Sequence, residues 1–173
     1  MSEQKGVLVG VVKSLEDPTG EGRVKLNYPT LGSKVMSGWV PVTTLLAGKD
    51  RGAWFMPELE DEVLVAFDNG KFEQPYVVGR LWNGKDTPPE TEPKFRVLKT
   101  PGGHQLRFED KDGAKRVILK TEGGLAITMD DAKKSIEIKD GGLTITMDDS
   151  AQSIELKGGG RALTMQGGQI KIT

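Results

Sequence analysis

The chain contains no cysteine and a single histidine, His104, among 173 residues. Absence of thiols excludes a disulfide framework, thiolate metal ligation and a cysteine nucleophile. His104 has no serine, aspartate or cysteine at catalytic spacing and reads as a surface or packing residue. An excess of one charge is missing as well: 24 basic residues face 25 acidic ones, for a net charge of −1. Such a balance gives the chain no general pull toward nucleic acid or an anionic membrane. No apolar run approaches the length of a membrane span. The opening MSEQKGVLVGVV lacks the basic-then-apolar pattern of a secretory signal, so none is expected. Little helix is expected either. We expect no catalytic residue, no metal site and no cofactor.

What the chain does have is glycine, 23 residues of it, placed in doublets. The segment Leu125–Gly142, LAITMDDAKKSIEIKDGG, is followed by Leu143–Gly160, LTITMDDSAQSIELKGGG, and the two agree at 12 of 18 positions. A third unit begins as RALTMQGGQIKIT, and a diverged one, LRFEDKDGAKRVILKTEGG, precedes the pair. Within each unit apolar residues alternate with threonine, glutamate and lysine, which is the period of a strand with one dry face and one wet face. Aspartate pairs and glycine doublets supply the turns. This is a repeat array of short strands.

The first half is written differently. GVLVGVVKSLED and GRVKLNYPTLG read as strands ending in turn clusters, and Val63–Phe67 and Tyr76–Leu81 read as two more, separated by the turn dipeptide Asn69-Gly70. Five or six strands at this spacing predict a small barrel or sandwich. Pro88, Pro89 and Pro93 then exclude helix and central strand and mark an extended linker. The expected organisation is a barrel over 1–82, a linker over 83–95, a neck over 96–124 and a repeat needle over 125–173.

One repeat offers too few apolar side chains to offset the entropy of ordering its backbone, and a lone ribbon leaves its apolar stripe wet. Three identical chains around a shared axis form the smallest closed tube that turns every stripe inward. The expected interior is Leu125, Ile127, Met129, Ile136, Ile138, Leu143, Ile145, Met147, Ile154, Leu156, Leu163, Met165, Ile170 and Ile172. Met129, Met147 and Met165 recur 18 residues apart, as adaptable fillers of that interior.

The barrel carries further specific marks. These are Trp54-Phe55-Met56-Pro57, the turn Glu60-Asp61-Glu62-Val63 into a strand, the block from Gly70 to Gly79 with Pro75 and Val77, and the exit NGKDTPP. In these residues the chain resembles the OB-fold domain of the phage baseplate assembly protein V family, which includes central spikes of contractile tails and is similar to the valine-glycine-repeat spikes of type VI secretion. KTPGGHQLRFEDKDGAKRVILKT resembles that family's neck. The resemblance implies an all-β chain with an N-terminal OB-fold and a C-terminal β-helix intertwined in a homotrimer. It implies a non-enzymatic spike that docks on a baseplate hub at the barrel end and pierces a target envelope, touching the membrane only mechanically. Assembly in the host cytoplasm into a virion tail or a secreted tail-like particle is expected with it. An inserted lysozyme domain and a fused N-terminal hub, present in some relatives, are not expected here. Nor is an iron-binding His-x-His tip, and a separate tip-capping protein at the C-terminal end is expected instead.

Rival readings of single motifs are weaker. Asp130-Asp131 and Asp148-Asp149 suit turns better than calcium, because no further oxygen ligands occur at loop spacing. No glycine doublet leads through Gly-Lys-Ser/Thr into a helix, so a phosphate loop is not indicated. Glu58, Glu60, Asp61 and Glu62 read as a solvated loop. Trp39, Trp54 and Trp82 read as core or intersubunit packing. As stacking platforms they would support the alternative function, an OB-fold nucleic-acid binder with a solenoid tail. That alternative lacks a basic stripe.

Overall fold

The computed structural model describes residue 4 and residues 6–173, which divide into two units at Thr87/Pro88. In the first unit Val63, Val65 and Phe67 alternate with the less buried Leu64 and Ala66, as a strand with one core face requires. Seven strands are present: β1 (Val7–Ser14), β2 (Arg23–Asn27), β3 (Met36–Pro41), β4 (Ala47–Gly48), β5 (Arg51–Gly52), β6 (Glu62–Phe67) and β7 (Pro75–Arg80). Five of them form an antiparallel sheet in the order β3-β2-β1-β6-β7, and β4 and β5 form a small separate hairpin. Just beyond β3, Val42 bridges Val77 of β7, and the Thr43 amide and hydroxyl both donate to the Val77 carbonyl at 2.9 Å. The sheet therefore curls until its two ends meet, as in a small closed barrel.

The barrel is filled by Val12, Val24, Leu26, Val40, Val63 and Val65, all wholly buried, with Tyr28, Phe67 and Val77 beside them. Tyr28 packs against Phe67 and Phe72, and burial pushes its phenol up to about 12. Between β6 and β7 the chain reverses through Asn69 and Gly70, both left-handed at φ 48° and 75°. The Asn-Gly dipeptide meets that demand at little cost.

Asp17 organises the β1–β2 turn. Its carboxylate accepts from the guanidinium of Arg23 at 2.8 Å and from the amides of Glu21 and Arg23 at 2.9 and 3.2 Å. The Arg23 guanidinium, and after it the amides, hold this carboxyl well below the usual carboxylate range. A depressed folded value stabilises the protein above the ordinary value and is lost as pH falls through the depressed one. Asp17→Asn should therefore melt at a lower temperature than wild type at neutral pH. In a pH series the gap should close as the pH drops below 3.8, the ordinary value.

The second unit is one antiparallel meander of nine strands in chain order: β8 (Phe95–Lys99), β9 (Gln105–Glu109), β10 (Arg116–Lys120), β11 (Ala126–Asp130), β12 (Ser135–Asp140), β13 (Leu143–Asp148), β14 (Ser153–Gly158), β15 (Arg161–Gln166) and β16 (Gln169–Ile172). Each repeat is thus two strands and two turns. One margin of the sheet carries the aspartate turns. Asp130 and Asp148 accept there from the amides of Lys133 and Ala151 at 3.0 and 2.8 Å. The other margin carries most of the glycine doublets. At Gly159-Gly160 both residues are left-handed, which the two-residue hairpin between Gly158 and Arg161 demands.

Where the sheet begins, Glu109 is buried between Arg107 and Arg116, at 2.7 and 2.6 Å. Arg107 also reaches Glu90 at 2.8 Å and stacks on Phe95. The proline-rich stretch is tied to the sheet through Glu90. His104, in the β8–β9 turn, accepts at Nδ1 from the amide of Glu122 at 3.3 Å.

Candidate assembly face

Registers within the meander decide which side chains share a face. Ile127 stands opposite Ile138, which stands opposite Ile145, and the row continues through Leu156 and Leu163 to Ile172. A parallel row runs Met129, Ile136, Met147, Ile154, Met165, Ile170 along the same strands. Leu125 and Leu143 lie on this same face beside the glycine turns, and Leu143 folds across Gly158, where any Cβ would meet it. All fourteen residues named from the sequence are therefore brought together on one face. The opposite face carries Thr128, Glu137, Thr146, Glu155, Thr164 and Lys171 in its central row.

The rows do not stop at Leu125. Leu119, Leu106 and Leu98 extend the first, and Val117 and Phe108 extend the second up to Arg96. These five apolar residues were outside the interior read from the sequence. Their alternation along β9 and β10 was the available signal, masked by the divergence of that unit.

Among the described residues of the second unit nothing covers this face. Ile145 is 40 % exposed, Leu143 57 % and Ile172 77 %, and among the described residues of the second unit no hydrophobic side chain is fully buried. The whole chain exposes 12205 Å², against roughly 10,000 Å² for two separate compact domains of half its mass. A contiguous apolar surface of this extent marks an interaction site. An antiparallel sheet solvated on both sides, with one side this apolar, is incomplete without a partner.

Other candidate sites resolve into structure. Glu60 pairs with Lys13 at 2.6 Å, and Asp61 accepts from the amide of Glu58 at 2.8 Å. No group of three or more His, Cys, Asp or Glu residues that could hold a metal occurs among the described residues. Trp39 is half-buried beneath Lys25, at 4.8 Å. Trp54 and Trp82 are largely exposed, which rules out core packing for those two and leaves intersubunit packing, the other half of the expectation. Trp54 lies over Gly22 at the barrel surface, where a Cβ would sit 2.9 Å from its ring.

Comparison with known proteins agrees with this division. Residues 8–82 match the family model of the type VI secretion system/phage-baseplate injector OB domain, and residues 96–173 match the phage baseplate V C-terminal trimerisation domain. Among curated proteins the chain is 32 % identical over 131 residues to the actin cross-linking toxin VgrG1 of Vibrio cholerae, covering 65 % of this chain and 12 % of that protein. It is 30 % identical to the type VI secretion system spike protein VgrG3 of Vibrio cholerae, covering 65 % and 13 %. It is 27 % identical to the spike protein VgrG1b of Pseudomonas aeruginosa, covering 64 % and 17 %. The chain thus spans less than a fifth of the length of these relatives. These matches do not favour the nucleic-acid-binding alternative. With an injector OB domain followed by a trimerisation domain, the chain belongs to the phage baseplate V and type VI secretion spike family.

Proposed function

We propose that the protein is a non-enzymatic central spike of a contractile injection apparatus, in which three copies close their apolar faces around one axis. The observation that carries this reading is the pair of apolar rows from β8 to β16, which nothing among the described residues of the second unit covers. Since every ladder in the second unit is made within one chain, intertwining would consist of side chains interlocking at the axis and three twisted faces wrapping one another. Leu, Ile and Met dry the axis, while Thr, Glu and Lys keep the shaft soluble. Nine strands give a sheet roughly 40 Å long at about 4.8 Å per strand. In this reading the barrel docks on a baseplate hub and the shaft is driven through a target envelope, meeting the membrane only by puncture. We place assembly in the producing cell's cytoplasm. A separate capping protein would cover β16, where Ile170 and Ile172 are the most exposed of the fourteen.

Light scattering on the eluting peak of a size-exclusion column tests the core of this proposal. The expected mass is three times the 18.8 kDa chain. A monodisperse single chain with β-type circular dichroism would remove the tube and the spike with it.

A further inference from the structure

The two margins of the repeat sheet change charge together. At the aspartate turn of the first repeat, Asp130 and Asp131 are balanced by Lys133 and Lys134. At the equivalent turn of the second repeat, Asp148 and Asp149 stand with Ala151 and Gln152, and both balancing charges are gone. The glycine margin shifts the opposite way. Lys139 and Asp140 precede the turn after the first repeat, whereas Lys157 precedes and Arg161 follows the turn after the second, with Gly158 replacing the acid. Other turns near this level are neutral: Lys120 and Glu122 share the glycine-side turn before the first repeat, and Gln166 and Gln169 flank the last aspartate-side turn.

The opposed charges cannot meet within one chain. They lie at opposite ends of β14, whose six residues span roughly 20 Å. Among the described residues Asp148, Asp149 and Arg161 have no intrachain ion pair, and Lys157 has only Glu155 on its own strand, at 2.8 Å. A threefold tube supplies the missing encounter. Cyclic symmetry has rotation without rise, so the aspartate margin of one copy abuts the glycine margin of the next at nearly the same height. The β13–β14 and β14–β15 turns are then offset by one strand spacing, about 4.8 Å, within reach of an arginine side chain.

We propose that Asp148 and Asp149 of one copy face Lys157 and Arg161 of the next, forming an ionic seam that fixes the axial register of the three chains. This rests on the trimeric reading above. Register needs such a device because the apolar rows nearly repeat. A slip of one repeat sets Ile127 where Ile145 was and Met129 where Met147 was, and only the margins then register an error.

A charge-reversal cycle tests the seam. Asp149→Lys and Arg161→Asp are made singly and together, leaving Asp148 to cap its turn. At about 0.1 M NaCl each single variant should lower the trimer's melting temperature by roughly 5 °C. The double variant should recover at least half of the combined loss, and the single-variant losses should shrink near 1 M salt, where charges are screened within about 3 Å. A double variant as unstable as the sum of the singles, with wild type still three chains by light scattering, would overturn the seam alone. A monomeric wild type would overturn both the seam and the trimer.

Discussion

Ile145→Asp should leave the protein unable to assemble. Ile145 lies in the middle of the first apolar row, between Ile138 and Leu156. Closing three copies around an axis would bring three carboxylates together there, away from water and from any cation. Each such charge costs several kcal/mol even after relaxation, far beyond what the loss of one isoleucine contact would explain. Light scattering should report single chains or aggregate in place of three chains. The control is the next residue along β13. Thr146→Lys projects from the opposite face, between Glu137 and Glu155, and should assemble like wild type. Equal assembly of both variants would invalidate the division into an inner and an outer face.

Leu26→Ala should strongly destabilise the barrel while leaving the threefold mass intact. Leu26 is wholly buried on β2 opposite Val12, and its Cδ1 would lie 3.1 Å from any Cβ added at Gly10. Truncating a leucine so enclosed costs about 2–5 kcal/mol, depending on how far the surrounding side chains collapse. A domain of this size has only about 5–10 kcal/mol to lose. Thermal unfolding should split into an early barrel transition and a late shaft transition, and limited proteolysis should release fragments ending near the proline-rich stretch. A single unshifted transition would place Leu26 outside the determining core.

The parts of this architecture that the sequence made legible are those governed by short-range pattern. Alternation from Leu125 to Ile172 picked out the apolar side chains that share one face, because strands of period two joined by turns at a constant 18-residue spacing leave no freedom of phase. Asn69-Gly70 marked its reversal for the same local reason. Features set by partners distant in sequence were harder to see. Leu98, Leu106, Phe108, Val117 and Leu119 belong to the same rows, but Arg96 interrupts the pattern and the turn at Asp110–Lys115 breaks the spacing. The buried Glu109 between Arg107 and Arg116 depends on cross-strand register. Whether Trp54 and Trp82 pack in the core or between subunits was left open, because the size of a side chain says nothing about which side of a barrel wall it occupies, and their exposure removes the core. The closure of β3 onto β7 through Val42 and Val77 likewise follows from curvature, which no local motif spells out.

The meander connectivity of the second unit has a mechanical consequence. Strands lie across the long direction of the sheet, so their hydrogen bonds point along it. Compression presses each ladder closed and loads all of them together. Tension would act on the last hairpin first and peel β16 from β15, then β15 from β14, one small step at a time. A rod laid out in this way resists being pushed far better than being pulled.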